Sequence, residues 1–291
     1  MAAFCLLASF GIELTRAEEP LSRGVVRVRT GTGEAQTLYS NSYALVIGNS
    51  DYRQGWRALK NAAQDAAEVA RALSANGFTV TLATNLTRAG FDRVFHEFAA
   101  THGQNPMNRV LFFFAGHGAT ETLVTGESWG SIAMVESPLP EQDPRGYFLT
   151  SIPLQRLYDE SKRMKANHVL FMFDSCFSGT LLKSRAPDQV PQGIRAHVSH
   201  PVRQFITAGS EDELVPDESA FKSIFVDLLT GRMKDYDNDG YLTGQELAYL
   251  LARYVPERSP LPQRPQEARI NHPALNKGDF VFVLNPPAAS P

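Results

Sequence analysis

The chain has 291 residues, 43% of them hydrophobic, and a formal net charge of -3. That length and apolar content suit one catalytic domain with a sizeable core. With 28 basic against 31 acidic residues and no basic stripe, nothing in the charge favours nucleic acid as a partner.

The apolar stretch Ala2 to Ile12, followed by Thr15-Arg16-Ala17 and then Glu18-Glu19-Pro20, has the length and small-residue end of a secretory signal peptide cleaved after Ala17. It is too short to span a bilayer. No Lys or Arg precedes it, where a positive region belongs, so a disordered or docked N-terminus is the alternative. The first reading predicts a periplasmic or secreted protein, the second a cytoplasmic one. Cys5 and Cys176 are the only cysteines, and cleavage would leave Cys176 without an internal disulfide partner.

Glu18 to Ser42 is polar and Gly/Thr-rich, with one apolar and basic patch at Val25 to Arg29; it reads as a linker or an accessory strand. The folded domain is expected over 43–284. Tyr43 to Asn49 is a first buried strand, and Asn61 to Ala75 repeats small apolar residues at helical spacing before the Asn76-Gly77 stop. Phe78 to Leu82 gives a second strand, and a helix from about Thr87 to Thr101 leads to Val110-Leu111-Phe112-Phe113-Phe114. This alternation predicts an α/β fold with a parallel sheet of about six strands and right-handed crossovers.

Ala119 to Thr150, rich in Gly and Pro, reads as a loop bordering the cleft. A helix over Ser151 to Lys165 feeds Val169-Leu170-Phe171-Met172-Phe173, an apolar run closed by Asp174-Ser175-Cys176-Phe177-Ser178-Gly179. Leu182 to Pro201 is polar and Pro-rich, Val202 to Thr207 is a fifth strand, and Phe280 to Leu284 is expected to close the sheet as a sixth.

The chemistry gathers where strands end. The second apolar run closes with Ala115-Gly116-His117-Gly118, so His117 and Cys176 project from neighbouring strand ends if both strands are central. An unperturbed cysteine thiol, which titrates at about 8.5, is only a few per cent thiolate at neutral pH and needs a base; His117 can be that base. The flanking glycines leave backbone amides uncovered, and the N-H groups of Gly118 and Cys176 are the candidate oxyanion hole. Asp174 lies two residues before Cys176, hence on the same strand face, and Asp65 follows the first strand at the same edge.

Asp235 to Glu246 matches a calcium-binding EF-hand loop. Carboxylates stand at positions 1, 3, 5 and 12 (Asp235, Asp237, Asp239, Glu246), Gly240 at 6, and the Tyr241 carbonyl at 7. Apolar helical stripes flank it: Ala220, Phe221, Ile224, Phe225, Leu228 and Leu229 before, Leu247, Leu250 and Leu251 after. Such loops usually come in pairs, and the sequence holds no second one.

The two motifs, strand-Ala-Gly-His-Gly and strand-Asp-Ser-Cys-Phe-Ser-Gly, resemble those of caspase-like, C14-type cysteine peptidases, in the bacterial metacaspase/orthocaspase branch. Animal caspases carry a different Gln-Ala-Cys signature. The resemblance implies a caspase-hemoglobinase-like three-layer sandwich with helices on both faces of the sheet. Its large segment is 43–180, its often-cleaved linker 181–201 and its small segment 202–284, followed by a tail, 285–291.

The resemblance also implies peptide hydrolysis by His117 and Cys176, with no organic cofactor and as a monomer. In this branch the positions of Asp65 and Asp174 form the acidic floor of the pocket for the residue before the cleaved bond, implying cleavage after Arg or Lys. Ala62 and Ala115 stand where Cys and Ser often occur in the branch. Self-cleavage is expected after Lys183, Arg185 or Arg195. Calcium activation is common in the branch through other acidic residues, so activation through residues 235–246 is a separate expectation. The rival readings are a catalytically silent, calcium-responsive interaction module on the same fold, and hydrolysis or transfer on another substrate.

Overall fold

The computed structural model describes residues 26–29, 35–175, 198–209 and 218–284. The chain opens with β1 (Val26–Arg29), β2 (Ala35–Tyr39), β3 (Asn41–Gly48), α1 (Ala62–Ala75), β4 (Thr79–Thr84), α2 (Arg88–His102) and β5 (Asn108–Ala115). Next come β6 (Gly118–Thr122), β7 (Ser128–Ile132), α3 (Pro144–Thr150), β8 (Ile152–Pro153), α4 (Leu154–Arg163), β9 (His168–Asp174) and β10 (Val202–Thr207). It ends with α5 (Ala220–Leu229), β11 (Tyr241–Thr243), α6 (Gly244–Arg258), β12 (Gln266–Arg269) and β13 (Val281–Val283).

Every residue of β5, β9 and β10 is buried, which only a sheet covered on both faces can satisfy. Alternate side chains divide between two cores. Ala44, Val46, Leu111, Phe113, Leu170, Met172 and Ile206 pack with Val69 and Leu73 of α1, Phe221, Ile224 and Phe225 of α5, and Leu247 and Leu251 of α6. Leu45, Ile47, Phe112, Phe114, Phe171, Phe173 and Phe205 pack with Phe91, Phe95 and Phe98 of α2 and Leu154 and Leu157 of α4. The expected three layers are therefore observed.

The six-stranded sheet runs β12-β10-β9-β5-β3-β4, with β12 antiparallel to β10 and the other five strands parallel. From β3 the chain steps outward to β4, then returns past β3 to β5 and continues to β9 and β10. The direction reverses between β3 and β5, and ligand crevices of open α/β sheets form at the carboxyl ends of such a pair. Register places Gly48 beside Ala115 and Ala115 beside Asp174, so three strands end on one rung.

Three expectations need correction. The sixth strand is β12: β13 pairs instead with β11, in a separate two-stranded sheet. The apolar run Phe280 to Leu284 looks like a central strand because Phe280, Val281 and Phe282 are buried, but they are covered by the β1/β2 region and the α1/α5 layer. The true edge strand was hidden by its polar sequence; its Arg269 is buried against Asp279, 3.1 Å away.

The segment after Ala119 is not one loop. It contains the β6/β7 hairpin, turned at Gly126 with φ of +79°, and α3, capped by the Asp143 carboxylate accepting from the Gly146 N-H at 2.9 Å. The stretch expected as a linker or an accessory strand holds a β1/β2 hairpin. Lys183, Arg185, Arg195 and the candidate signal peptide lie outside the described residues. No described helix is long and apolar enough to cross a membrane.

Candidate active site

His117 follows β5 by two residues, and its position is set from below by Tyr52. A Cβ on Gly116 would lie 2.5 Å from the Tyr52 hydroxyl, so only glycine lets the chain pass over that ring. The Tyr52 hydroxyl then accepts the His117 backbone N-H at 2.8 Å and donates to the Ala133 carbonyl at 3.2 Å. Burial pushes the Tyr52 pKa up, keeping this hydroxyl neutral.

The imidazole lies between two aromatic rings. Trp56 stacks on it with centroids 4.8 Å apart, and Tyr52 meets it edge-on at 4.6 Å. The Trp56 indole donates to the Pro138 carbonyl at 3.2 Å, fixing the stacking partner. The Nε2 of His117 is 2.6 Å from the Arg57 carbonyl. A carbonyl can only accept, so in the neutral ring Nε2 carries the proton and Nδ1 is the basic nitrogen. Tyr52, Trp56 and Arg57 were missed in the sequence, although two aromatics in the short connection after a buried strand, at one end of the sheet, were a usable signal.

Asp65 and Asp174 come together from different elements. Asp174 ends β9 and is 4% exposed; Asp65, in the first turn of α1, is 6% exposed. A Cβ on Gly48 would lie 2.5 Å from the Ala62 carbonyl, so this glycine lets α1 approach the end of β3 and brings Asp65 to the rung that carries Asp174. Burial raises the Asp174 pKa to about 7; a Ser219 hydrogen bond works against the rise, the Asp65 charge adds to it, and the Lys222 charge opposes it. Its Oδ1 is buried with no hydrogen-bond partner among the described residues.

Lys222, in the first turn of α5, reaches the same site. Its Nζ is 2.8 Å from Asp65 Oδ1 and 2.7 Å from Glu68 Oε2. Burial pulls its pKa down, but the two carboxylates outweigh this and hold the ammonium above its usual range. Asn61, Gln64, Asp65, Glu68, Ser219 and Lys222 all border one open cavity of about 360 Å³.

Gly118, the other candidate oxyanion donor, is half-buried and opens β6 opposite Ile132. Cys176 lies outside the described residues; in sequence it stands two positions beyond Asp174, as His117 stands two beyond Ala115, and Ala115 and Asp174 are register partners.

In the acidic loop, Asp235, Asp237 and Asp239 bring carboxylate oxygens within 4.8 Å of one another. The loop closes through the Gly240 N-H donating to Asp235 and the Tyr241 N-H donating to Asp239, each at 2.8 Å. Asn238 and Gly240 both take positive φ, 63° and 85°. Three grouped carboxylates fit a hard divalent cation. Glu246 stays outside that group, its carboxylate accepting from both the N-H and the hydroxyl of Thr243 at 2.8 Å as a helix cap. The flanking stripes expected from the sequence are buried as α5 and α6.

A family model described as "Caspase domain" matches residues 41–272. Among solved structures, the chain is similar to a Geobacter sulfurreducens protein, with TM-score 0.55 and 17% identity, covering 84% of this chain and 99% of that one. It is also similar to the Drosophila initiator caspase Dronc, with TM-score 0.55 and 11% identity, covering 94% and 99% respectively. No curated protein matches. At these identities the structural likeness speaks for the fold alone.

Proposed function

Because the chain belongs to the caspase-domain peptidase family, we propose that it is a cysteine endopeptidase cleaving after Arg or Lys, with His117 and Cys176 as its catalytic pair. The observation that carries the specificity is the buried acid Asp174, with one oxygen lacking a partner among the described residues, beside the buried Asp65. Such acids suit a cationic side chain, which offsets their desolvation and mutual repulsion.

In this reading Nδ1 of His117 takes the Cys176 thiol proton, and the thiolate attacks the carbonyl carbon of the scissile bond. The backbone amides of Gly118 and Cys176 receive the developing oxyanion; one such donor is typically worth about 10²–10³ in rate. The imidazolium, still donating from Nε2 to the Arg57 carbonyl, returns its proton to the leaving amine. Water, deprotonated by the same nitrogen, then hydrolyses the thioester and releases Cys176.

Asp235, Asp237, Asp239, the Tyr241 carbonyl and Glu246 would hold a calcium ion, Glu246 on release from Thr243. The ion would supply charge neutralisation that orders the loop between α5 and α6. Processing after Lys183, Arg185 or Arg195, a monomeric state and export to the periplasm or beyond belong to the same proposal.

The test uses paired fluorogenic peptides ending in Arg or Asp, with and without calcium, for wild type and Cys176→Ala. Cleavage of the Arg peptide alone, lost in the variant, is expected. Cleavage of the Asp peptide would overturn the acidic pocket, and no cleavage of either would favour the silent interaction module.

A further inference from the structure

Lys222 lies beside the two buried acids Asp65 and Asp174. The first turn of α5 lies against both acids: Ser219 hydrogen-bonds Asp174, and Lys222 bridges Asp65 and Glu68. Ser219 also caps α5 by accepting the Lys222 N-H at 2.9 Å, which fixes where the lysine stem starts. The Lys222 side chain is 15% exposed, and Glu68, at 30%, is the more solvated of its two partners.

Two ammonium groups cannot share Asp65 without strong repulsion. Resting on the reading of Asp65 and Asp174 as the basic-residue pocket, we propose that Lys222 is a tethered competitor for that pocket. A substrate cation displaces it from Asp65, and Lys222 retreats onto Glu68.

The exchange has unequal results for the two basic side chains. A substrate lysine replaces one ammonium by another on Asp65. An arginine has a planar fork of donors, which can engage Asp65 with one edge and offer a second donor towards Asp174, whose Oδ1 has no partner among the described residues. Lys222 therefore acts as a specificity-determining residue: it weakens all basic substrates and penalises lysine more than arginine. Because the pocket is receptive only while Lys222 is away, the apparent affinity is reduced by that fraction.

The test compares wild type with Lys222→Met and Lys222→Arg on peptides ending in Arg, Lys or Gln, and measures thermal stability alongside. Agmatine binding is titrated in each protein on a Cys176→Ala background. Lys222→Met should lower KM for the Arg peptide about tenfold and for the Lys peptide more, with a smaller change for the Gln peptide. Lys222→Arg, gripping both carboxylates, should raise KM for both basic peptides.

A lowered melting temperature in Lys222→Met with KM and agmatine affinity unchanged makes Lys222 a structural counterion and overturns the proposal while sparing the pocket. If wild type and variants ignore basic peptides and agmatine yet cleave another peptide, the pocket reading fails and takes the proposal with it. If no peptide is cleaved by any protein, agmatine decides: tighter binding to Lys222→Met supports the competitor, and equal binding overturns it.

Discussion

The Nε2 of His117 donates to the carbonyl oxygen of Arg57 across 2.6 Å. In the proposed mechanism this backbone acceptor would do what a third catalytic side chain does in triad peptidases: fix which ring nitrogen is basic and steady the ring once charged. No side-chain substitution removes that oxygen, so its contribution must be probed through the residues that hold the ring and its loop.

Replacing His117 by Ala should lower kcat by about 10²–10⁴, the usual worth of a positioned acid-base group. Trp56→Ala removes the stacked ring 4.8 Å away and should cost on the order of tenfold in kcat, with the pH profile kept. Stopped-time assays on an Arg peptide at saturating substrate would read both, and an unchanged kcat in Trp56→Ala would assign the stack to folding alone.

Tyr52→Phe removes the hydroxyl that accepts the His117 N-H and donates to Ala133. Leaving the N-H and the Ala133 carbonyl without this partner should cost about 1–3 kcal/mol of stability. Denaturant melts with an unchanged m-value would report it.

The raised pKa of Asp174, about 7 against an ordinary 3.8, gives a pH dependence with a definite sign. Between those values the unfolded chain has released a proton that the folded chain retains, so this residue makes stability fall as pH rises through the window. Below 3.8 both states are protonated and the contribution is level. Binding has the opposite sign, because a cationic side chain prefers the ionised acid: KM for the Arg peptide should fall as pH rises towards 7 and beyond. Asp174→Asn should flatten both curves, read by melting temperature and KM from pH 4 to 8.

Gly48→Ala would drive a methyl into the Ala62 carbonyl at 2.5 Å and the Ala66 methyl at 2.7 Å. Moving α1 off the strand should cost about 1–3 kcal/mol. Since α1 carries Asp65, the KM of Arg peptides should rise in step, whereas a Gln peptide should be unaffected.

Calcium at a hundred times its dissociation constant should add about 2.7 kcal/mol to the stability of the intact loop. Asp235→Ala should abolish that shift. Differential scanning with calcium or with chelator distinguishes the two, and an equal response in the variant would remove Asp235 as a ligand.

The central sheet could be read from the sequence because strands such as Phe112-Phe113-Phe114 and Phe171-Met172-Phe173 are apolar at successive positions, the mark of burial on two faces. The meeting of Asp65 and Asp174 was legible for a related reason, since Asp174 ends one such strand and Asp65 lies in the first turn of the helix that follows another. The β6/β7 hairpin and β12 were not. Their alternation is weak, and the buried charge of Arg269 makes sense only once Asp279 is seen beside it. Lys222 was the least legible: the contact with Glu68 spans 154 positions, and a lysine in the first turn of a helix usually faces solvent.

Residues of β11 pair with β13, Leu242 opposite Phe282, where a two-loop calcium unit would place the strand of a second loop. Among the described residues, the strand opposite Asp235 to Glu246 therefore has no ligand set of its own. Paired loops sharpen each other's titration through their shared ladder; among the described residues this one has no twin to recruit. Any response to the ion should follow a simple hyperbola with a Hill coefficient of about one, spreading over about two decades of concentration. The protein would then track the ambient ion level as a dimmer does, with no threshold.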